Sequence, residues 1–205
     1  MTIARKRIVH EFLRHLHATI KSNLTHSGGN TVPTELILSK MQQREDSKNI
    51  RPKSKLPALN HLPVAIRNSK SGPEKIQALT ESFEKIADSL SWHQRDGSGH
   101  SNFKRGHANA FIIGPNGLET YGDTIVGVSL LAPKVQYPDH KHLPEELYLA
   151  MSGGDWRQNK GPWQTPGPGG LIYNPGNVVH SMRAKSQPLL AIWCLWTELK
   201  KQTKE

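Results

Sequence analysis

Two periodicities divide the chain. In the first part Ile8, Val9, Phe12, Leu13, Leu16, Ile20 and Leu24 recur at helical spacing, with Arg14, His15 and Lys21 between them. The run Ser27-Gly28-Gly29-Asn30 supplies the residues that stop such a helix. A second short helix is predicted from Pro33, which suits a first helical position, through Leu36, Ile37 and Met41. Residues 42–57 show no apolar period and read as a mobile linker. The third helix has the clearest stripe: Pro73 opens it, and Ile76, Leu79, Phe83, Ile86 and Leu90 follow on one face.

From about Ser91 the pattern shortens. β-rich runs occupy His107–Ile113, Thr124–Leu131, Glu146–Met151, Leu171–Tyr173, Val178–Arg183 and Leu189–Trp196, separated by turns such as Pro115-Asn116-Gly117 and Ser152-Gly153-Gly154. Many short strands joined by Gly and Pro turns predict a sandwich or a small barrel. No helices alternate with the strands, so a Rossmann fold is not expected, and there is no glycine-rich phosphate loop or GxSxG elbow. The expected organisation is a basic helical region over residues 1–90 followed by a mainly β barrel over residues 91–205.

Composition refines this picture in three ways. The net charge of +10 is uneven: residues 1–70 hold 13 Lys/Arg against 4 Asp/Glu, whereas residues 71–205 hold 14 against 13. A basic front suits nucleic acid or an anionic membrane surface, but its simplest reading is a solvated helical face. A helix-turn-helix needs a tight turn between helices, and the polar stretch after the second helix argues against one, so neither nucleic acid nor membrane is an expected partner. The front is instead expected to pack on the barrel as a lid or a homodimer surface. The single cysteine, Cys194, excludes a disulfide framework and a Cys-based zinc cluster. With no apolar run long enough to span a bilayer and no signal-peptide pattern at the start, the expected location is cytoplasmic.

Candidate chemistry lies in two segments. In Tyr137-Pro138-Asp139-His140-Lys141-His142-Leu143-Pro144-Glu145-Glu146-Leu147-Tyr148, residues two apart on a strand share a face. A bend at Leu143-Pro144-Glu145 could therefore aim His140, His142, Glu146 and Tyr148 at one point. The segment from Gly169 to His180 adds another imidazole just after a turn. Imidazole and carboxylate ligands suit one divalent transition metal, Fe(II), Zn(II), Mn(II), Co(II) or Ni(II), rather than calcium.

The spacing H-x-H-x3-E-x6-G, ending at Gly153, and G-x5-P-x4-H, ending at His180, resembles the two metal-binding motifs of the cupin barrels. Three positions depart from that pattern. Lys134 stands at a leading Gly, Asn177 at a second Gly, and Ala184 at a closing Asn. Asn tolerates a left-handed backbone, so the second turn can survive. Over residues 137–196 the runs YPDHKHLPEELYLAMSGGDWRQ, GPW, PGPGG, YNP, VVHSMR and PLLAIWCLW resemble the cupin dimethylsulfoniopropionate (DMSP) lyases of the DddQ type.

That resemblance implies a single cupin barrel, a double-stranded β-helix or jelly roll, behind a helical region. It implies metal ligands at His142, Glu146, Tyr148 and His180, with Tyr137 and His140 in the pocket. The implied reaction is a β-elimination of DMSP to dimethyl sulfide and acrylate, which requires a base for the α-proton and a Lewis acid on the carboxylate. Tyr148 is the first candidate for the base and Tyr137 its rival. His140 either orients substrate or replaces Tyr148 as a ligand. A sulfonium cation also favours an aromatic face. Trp193 and Trp196 are the leading candidates, of opposite strand parity, with Trp156, Trp163, Tyr121 and Tyr173 behind them. His107 reads as a packed strand histidine. Two other classes compete with the lyase: another cupin metalloenzyme, a dioxygenase or isomerase acting on a small carboxylic acid, and a non-catalytic cupin sensor.

Overall fold

Strand parity decides the layering of this molecule. The computed structural model describes residues 3–24, 45–46, 55–95, 101–120 and 124–196. In strand β10 (Leu189–Trp196), Leu190, Ile192, Cys194 and Trp196 enter one buried cluster, while Leu189, Ala191 and Trp193 enter another. β4 (Thr124–Leu131) and β6 (Glu145–Ala150) divide in the same way. Val126, Val128, Leu130, Leu147 and Leu149 face one side, and Leu131, Tyr148 and Ala150 the other. Strands buried on both faces read as nearly unbroken apolar runs, which is why these segments stood out in the sequence.

Among the described residues the strands form two sheets. The larger has the order β1-β3-β2-β4-β10-β6-β8, with β1 at Glu45–Asp46, β2 at His107–Ile113, β3 at Glu119–Thr120 and β8 at Leu171–Asn174. The smaller has the order β5-β9-β7, with β5 at Gln136–His140, β7 at Asp155–Gln158 and β9 at His180–Arg183. The pairs between these strands are antiparallel, apart from a short parallel contact of β2 with β3.

The outer face of the large sheet is covered by helices. α1 (Ile3–Leu24) contributes Val9, Phe12, Leu16 and Ile20, and α3 (Glu74–Ala87) contributes Ile76, Leu79, Phe83 and Ile86, to the cluster that holds Val128, Leu149 and Ile192. Phe12 and Phe83 meet with ring centroids 6.3 Å apart, and Lys85 pairs with Glu11 at 3.0 Å. The basic helix thus forms the outer wall of the barrel, with Arg7, His10, Arg14 and Lys21 turned to solvent. No helix of the described residues is long and apolar enough to cross a membrane.

The structure departs from the expected elements in several places. A short helix, α2 (Leu62–Lys70), follows a 3-10 turn at Pro57–His61; it buries Ala65 and Ile66, too few apolar positions to show a stripe in the sequence. Another, α4 (Ser101–Gly106), precedes β2. Within the expected linker, Glu45 and Asp46 pair with Thr120 and Glu119 at the sheet edge. An edge strand offers backbone groups to any extended partner, so side-chain pattern gives no warning of such pairing. The turn at Ser27–Asn30, the helix expected from Pro33, and Tyr121 lie outside the described residues.

Because helices and sheet share one core, they are expected to unfold together. Phe83→Ala, which opens a cavity at a fully buried ring, should cost about 3–5 kcal/mol in urea titration. Helical far-ultraviolet signal and tryptophan fluorescence should be lost in one transition; two separated transitions would refute the shared core.

Candidate active site

The chain crosses from the small sheet to the large one between β5 and β6, and this bend gathers the polar residues. β5 lies beside β9 with His140 opposite His180, and their rings are 4.1 Å apart. His142, on the bend itself, lies 5.0 Å from the His180 ring. The turn before β9 fixes that position: Asn177, at φ 63°, donates its backbone N–H to the His142 carbonyl at 2.8 Å. Gly176 is needed beside it, since a Cβ there would lie 2.6 Å from the Leu143 oxygen. Lys134 also has φ 63°. Both places where the sequence departs from a motif glycine therefore keep the left-handed backbone that glycine would favour.

The three imidazoles are oriented alike. His140 Nδ1 donates to the Pro138 carbonyl at 2.9 Å, His142 Nδ1 to that of Pro144 at 2.8 Å, and His180 Nδ1 to that of Val178 at 3.0 Å. A carbonyl only accepts, so each Nδ1 carries hydrogen and each Nε2 is available as a ligand. The ligand atoms of His140, His142 and His180 lie within 4.8 Å of one another. Glu146 adds an oxygen 3.4 Å from His142 Nε2 and 3.0 Å from His180 Nε2. The buried His180 Nε2 has no hydrogen-bond partner. A buried nitrogen facing a carboxylate oxygen without a bond between them is the arrangement two ligands of one cation adopt. The residues present fit a divalent metal.

Electrostatics agree with this arrangement. Burial alone would raise the Glu146 carboxyl, but the flanking imidazoles of His142 and His180 hold it down to about 2. Asn174 further fixes this carboxylate, donating from Nδ2 at 3.2 Å. Burial, reinforced by the charge of His180, lowers His140 to about 4, so its imidazole is neutral at physiological pH. Burial would lower His142 too, but contact with Glu146 and the Pro144 carbonyl outweighs it and leaves its pKa raised. The Tyr148 phenol is raised well above its usual value, first by burial and then by the charge of Glu146.

Above this cluster lies a cavity of about 280 Å³. Tyr137, His140, His142, Glu146, Tyr148 and Trp193 line it, so the structure brings these expected residues together, with His180 beneath. Trp193 lies against Gly127, where a Cβ would be only 2.2 Å from the indole, and meets Phe111 edge to face at 5.6 Å. Trp196 is a correction: opposite parity sends it to the helix-facing core, stacked with Tyr173 at 6.3 Å. Neither residue lines this cavity. Trp156 is buried behind Tyr148, and the guanidinium groups of Arg157 and Arg183 both lie over the Trp163 ring. His107 is fully used in packing: Nδ1 donates to the Phe103 carbonyl at 2.6 Å and Nε2 accepts the Arg95 N–H at 2.8 Å.

Six further lining residues, His93, Arg95, Asn109, Phe111, Ser129 and Leu195, were not anticipated. Asn109 and Ser129 did carry a signal, each being a polar residue at an inward position of an otherwise apolar strand. His93 and Arg95 precede the strands and carried none.

With this geometry in place, comparison with known proteins is decisive. The profile of the dimethylsulfoniopropionate lyases matches residues 30–191. The chain belongs to the DMSP lyase family. It is 27% identical over 150 residues to a protein of Cereibacter sphaeroides named as dimethylsulfoniopropionate lyase DddL, covering 73% of this chain and 62% of that relative. The match thus spans a little under two thirds of the relative's length. The fold is that of DMSP lyases of known structure. DddQ from Ruegeria pomeroyi superposes with a TM-score of 0.69 at 17% identity, covering 95% of this chain and 93% of that one. A chain from the crystal structures of the lyases RdDddP and RnDddQII gives 0.70 at 20% identity, covering 95% and 94%. The architecture is a cupin barrel with helices packed ahead of it.

The raised pKa of His142 sets the sign of a pH effect. Glu146 stays ionised throughout the neutral range, so protons compete with metal at the imidazoles as pH falls. Calorimetric titration with Zn(II) from about pH 8 to 5 should show affinity dropping roughly tenfold per unit for each proton displaced. An affinity that does not change with pH would rule out His142 as a ligand.

Proposed function

We propose that this DMSP lyase family member cleaves DMSP to dimethyl sulfide and acrylate, using a divalent metal held by His140, His142, Glu146 and His180. The observation that carries this reading is the placing of an aromatic wall, Trp193 with Phe111, in the same cavity as Tyr137 and the imidazole cluster. DMSP has a matching division: a carboxylate at one end, a sulfonium cation at the other and an acidic α-carbon between them.

When bound, the metal withdraws charge from the substrate carboxylate and makes the α-proton easier to remove. The faces of Trp193 and Phe111 attract the weakly hydrated sulfonium. Tyr137, as phenolate, takes the α-proton; the C–H pair becomes the carbon–carbon double bond, and the Cβ–S pair leaves with sulfur as neutral dimethyl sulfide. The phenol then returns its proton to water.

The surroundings of the two phenols support Tyr137 over Tyr148 as the base. Burial and the charge of Glu146 raise the Tyr148 phenol well above its usual value, which favours its protonated form. Tyr137 instead accepts a hydrogen bond from Asn109 Nδ2 at 3.3 Å, so its oxygen faces a donor. On this reading Tyr148 stays a protonated phenol beside Glu146 rather than completing the ligand set.

The test strips the protein of metal, reloads it separately with Fe(II), Zn(II), Mn(II), Co(II) and Ni(II), and supplies DMSP. Dimethyl sulfide and acrylate should appear in equal amounts without oxygen uptake, and His142→Ala should abolish both. Tyr137→Phe should lower kcat by roughly 10²–10⁴ with metal still bound. Oxygen consumption, or no product with any metal, would move the reading to another cupin metalloenzyme.

A further inference from the structure

The bond from Asn109 to Tyr137 is the last link of a longer chain in the cavity wall. Trp193 Nε1 donates to Ser129 Oγ at 3.0 Å, Ser129 Oγ donates to Asn109 Oδ1 at 2.8 Å, and Asn109 Nδ2 donates to the Tyr137 hydroxyl at 3.3 Å. The bonds run one way along the chain. The indole N–H can only donate, the single hydrogen of Ser129 goes to the Asn109 oxygen, and the Asn109 amide nitrogen is turned toward Tyr137. All four side chains are buried, between 2% and 7% exposed. Asn109 and Ser129 face each other across β2 and β4, so the middle link rests on strand register rather than on a loop.

We propose that Asn109 and Ser129 are positioning residues: their one-way hydrogen-bond chain holds the Trp193 indole and the Tyr137 oxygen in fixed relation, and presents that oxygen to substrate as an acceptor. The proposal rests on the reading of Tyr137 as the base. Trp193 faces the cation and Tyr137 the α-proton, so the chain fixes the span between the two substrate atoms that β-elimination must act on together. It also occupies one lone pair of the Tyr137 oxygen with a donor. Proton transfer depends steeply on such alignment.

Asn109→Asp keeps the shape of the side chain but replaces the donor with an acceptor, so Tyr137 must turn its hydrogen toward residue 109. Ser129→Ala breaks the chain at its centre without burying a charge, and Ser129→Thr retains the hydroxyl. On metal-loaded protein, with melting temperature and metal stoichiometry measured alongside, Asn109→Asp should lower kcat roughly 10- to 100-fold, the range of one hydrogen bond to a charged oxygen. KM should change little. The kinetic isotope effect with α-deuterated DMSP should rise, because proton transfer becomes more limiting. Ser129→Ala should move both readouts in the same direction, and Ser129→Thr should recover most of the loss. In the Tyr137→Phe background, Asn109→Asp should cause no further loss, a coupling that general destabilisation does not produce.

The two readings fail in different ways. Full turnover in Tyr137→Phe removes the base and the proposal with it. A crippled Tyr137→Phe beside unchanged kcat and isotope effect in Asn109→Asp and Ser129→Ala keeps the base and overturns the chain. Losses that add in the double variant also overturn it.

Discussion

A sheet with no solvated face has to satisfy two neighbours with alternate residues of the same strands. In β4, β6 and β10 one parity meets the helices and the other closes around the cavity. A shift of register by one residue would exchange the two sets, putting Trp193 among the helices and Trp196 in the pocket. The site therefore depends on the helical layer although no described helix residue lines it. By covering Val128, Leu149 and Ile192, the apolar stripes of α1 and α3 lock the parity that directs Glu146, Tyr148, Ser129 and Trp193 inward.

Inside that frame the ligand cluster is held largely by main chain. Each of the three imidazoles is anchored through Nδ1 to a carbonyl two residues before or after it, and the turn at Asn177 reaches back to the His142 carbonyl. Backbone anchoring fixes ring direction before any ion arrives, which lowers the reorganisation that binding would require. Glu146 is stabilised as an anion by the same neighbours that share its site. The opposite wall works by side chains alone: Trp193 packed onto Gly127, with the polar pair Ser129 and Asn109 leading to Tyr137. The cavity thus combines a cation-accepting floor with a wall suited to a second, organic cation.

Much of this was legible in the residues. The stripes in α1 and α3, the strand runs and the joint spacing of His140, His142, Glu146 and His180 all reflect local rules, because helix and strand periods are set by backbone geometry. The left-handed φ at Lys134 and Asn177 kept the turns of the motif without its glycines. Elements held by few side chains were illegible: α2 buries too little to show a stripe, and the Glu45–Asp46 edge pair is made by backbone groups common to any sequence.

The sequence by itself determined the helical layer, the mainly β barrel and the gathering of imidazole and carboxylate on one bend, since each follows from patterns spanning a few residues. Only the tertiary structure decided which tryptophan faces the cavity, and that Asn109, 28 residues before Tyr137, is the partner of its hydroxyl. Those choices depend on how β2, β4 and β10 lie side by side. That register is set by burial of both sheet faces at once, and it cannot be read from any one strand.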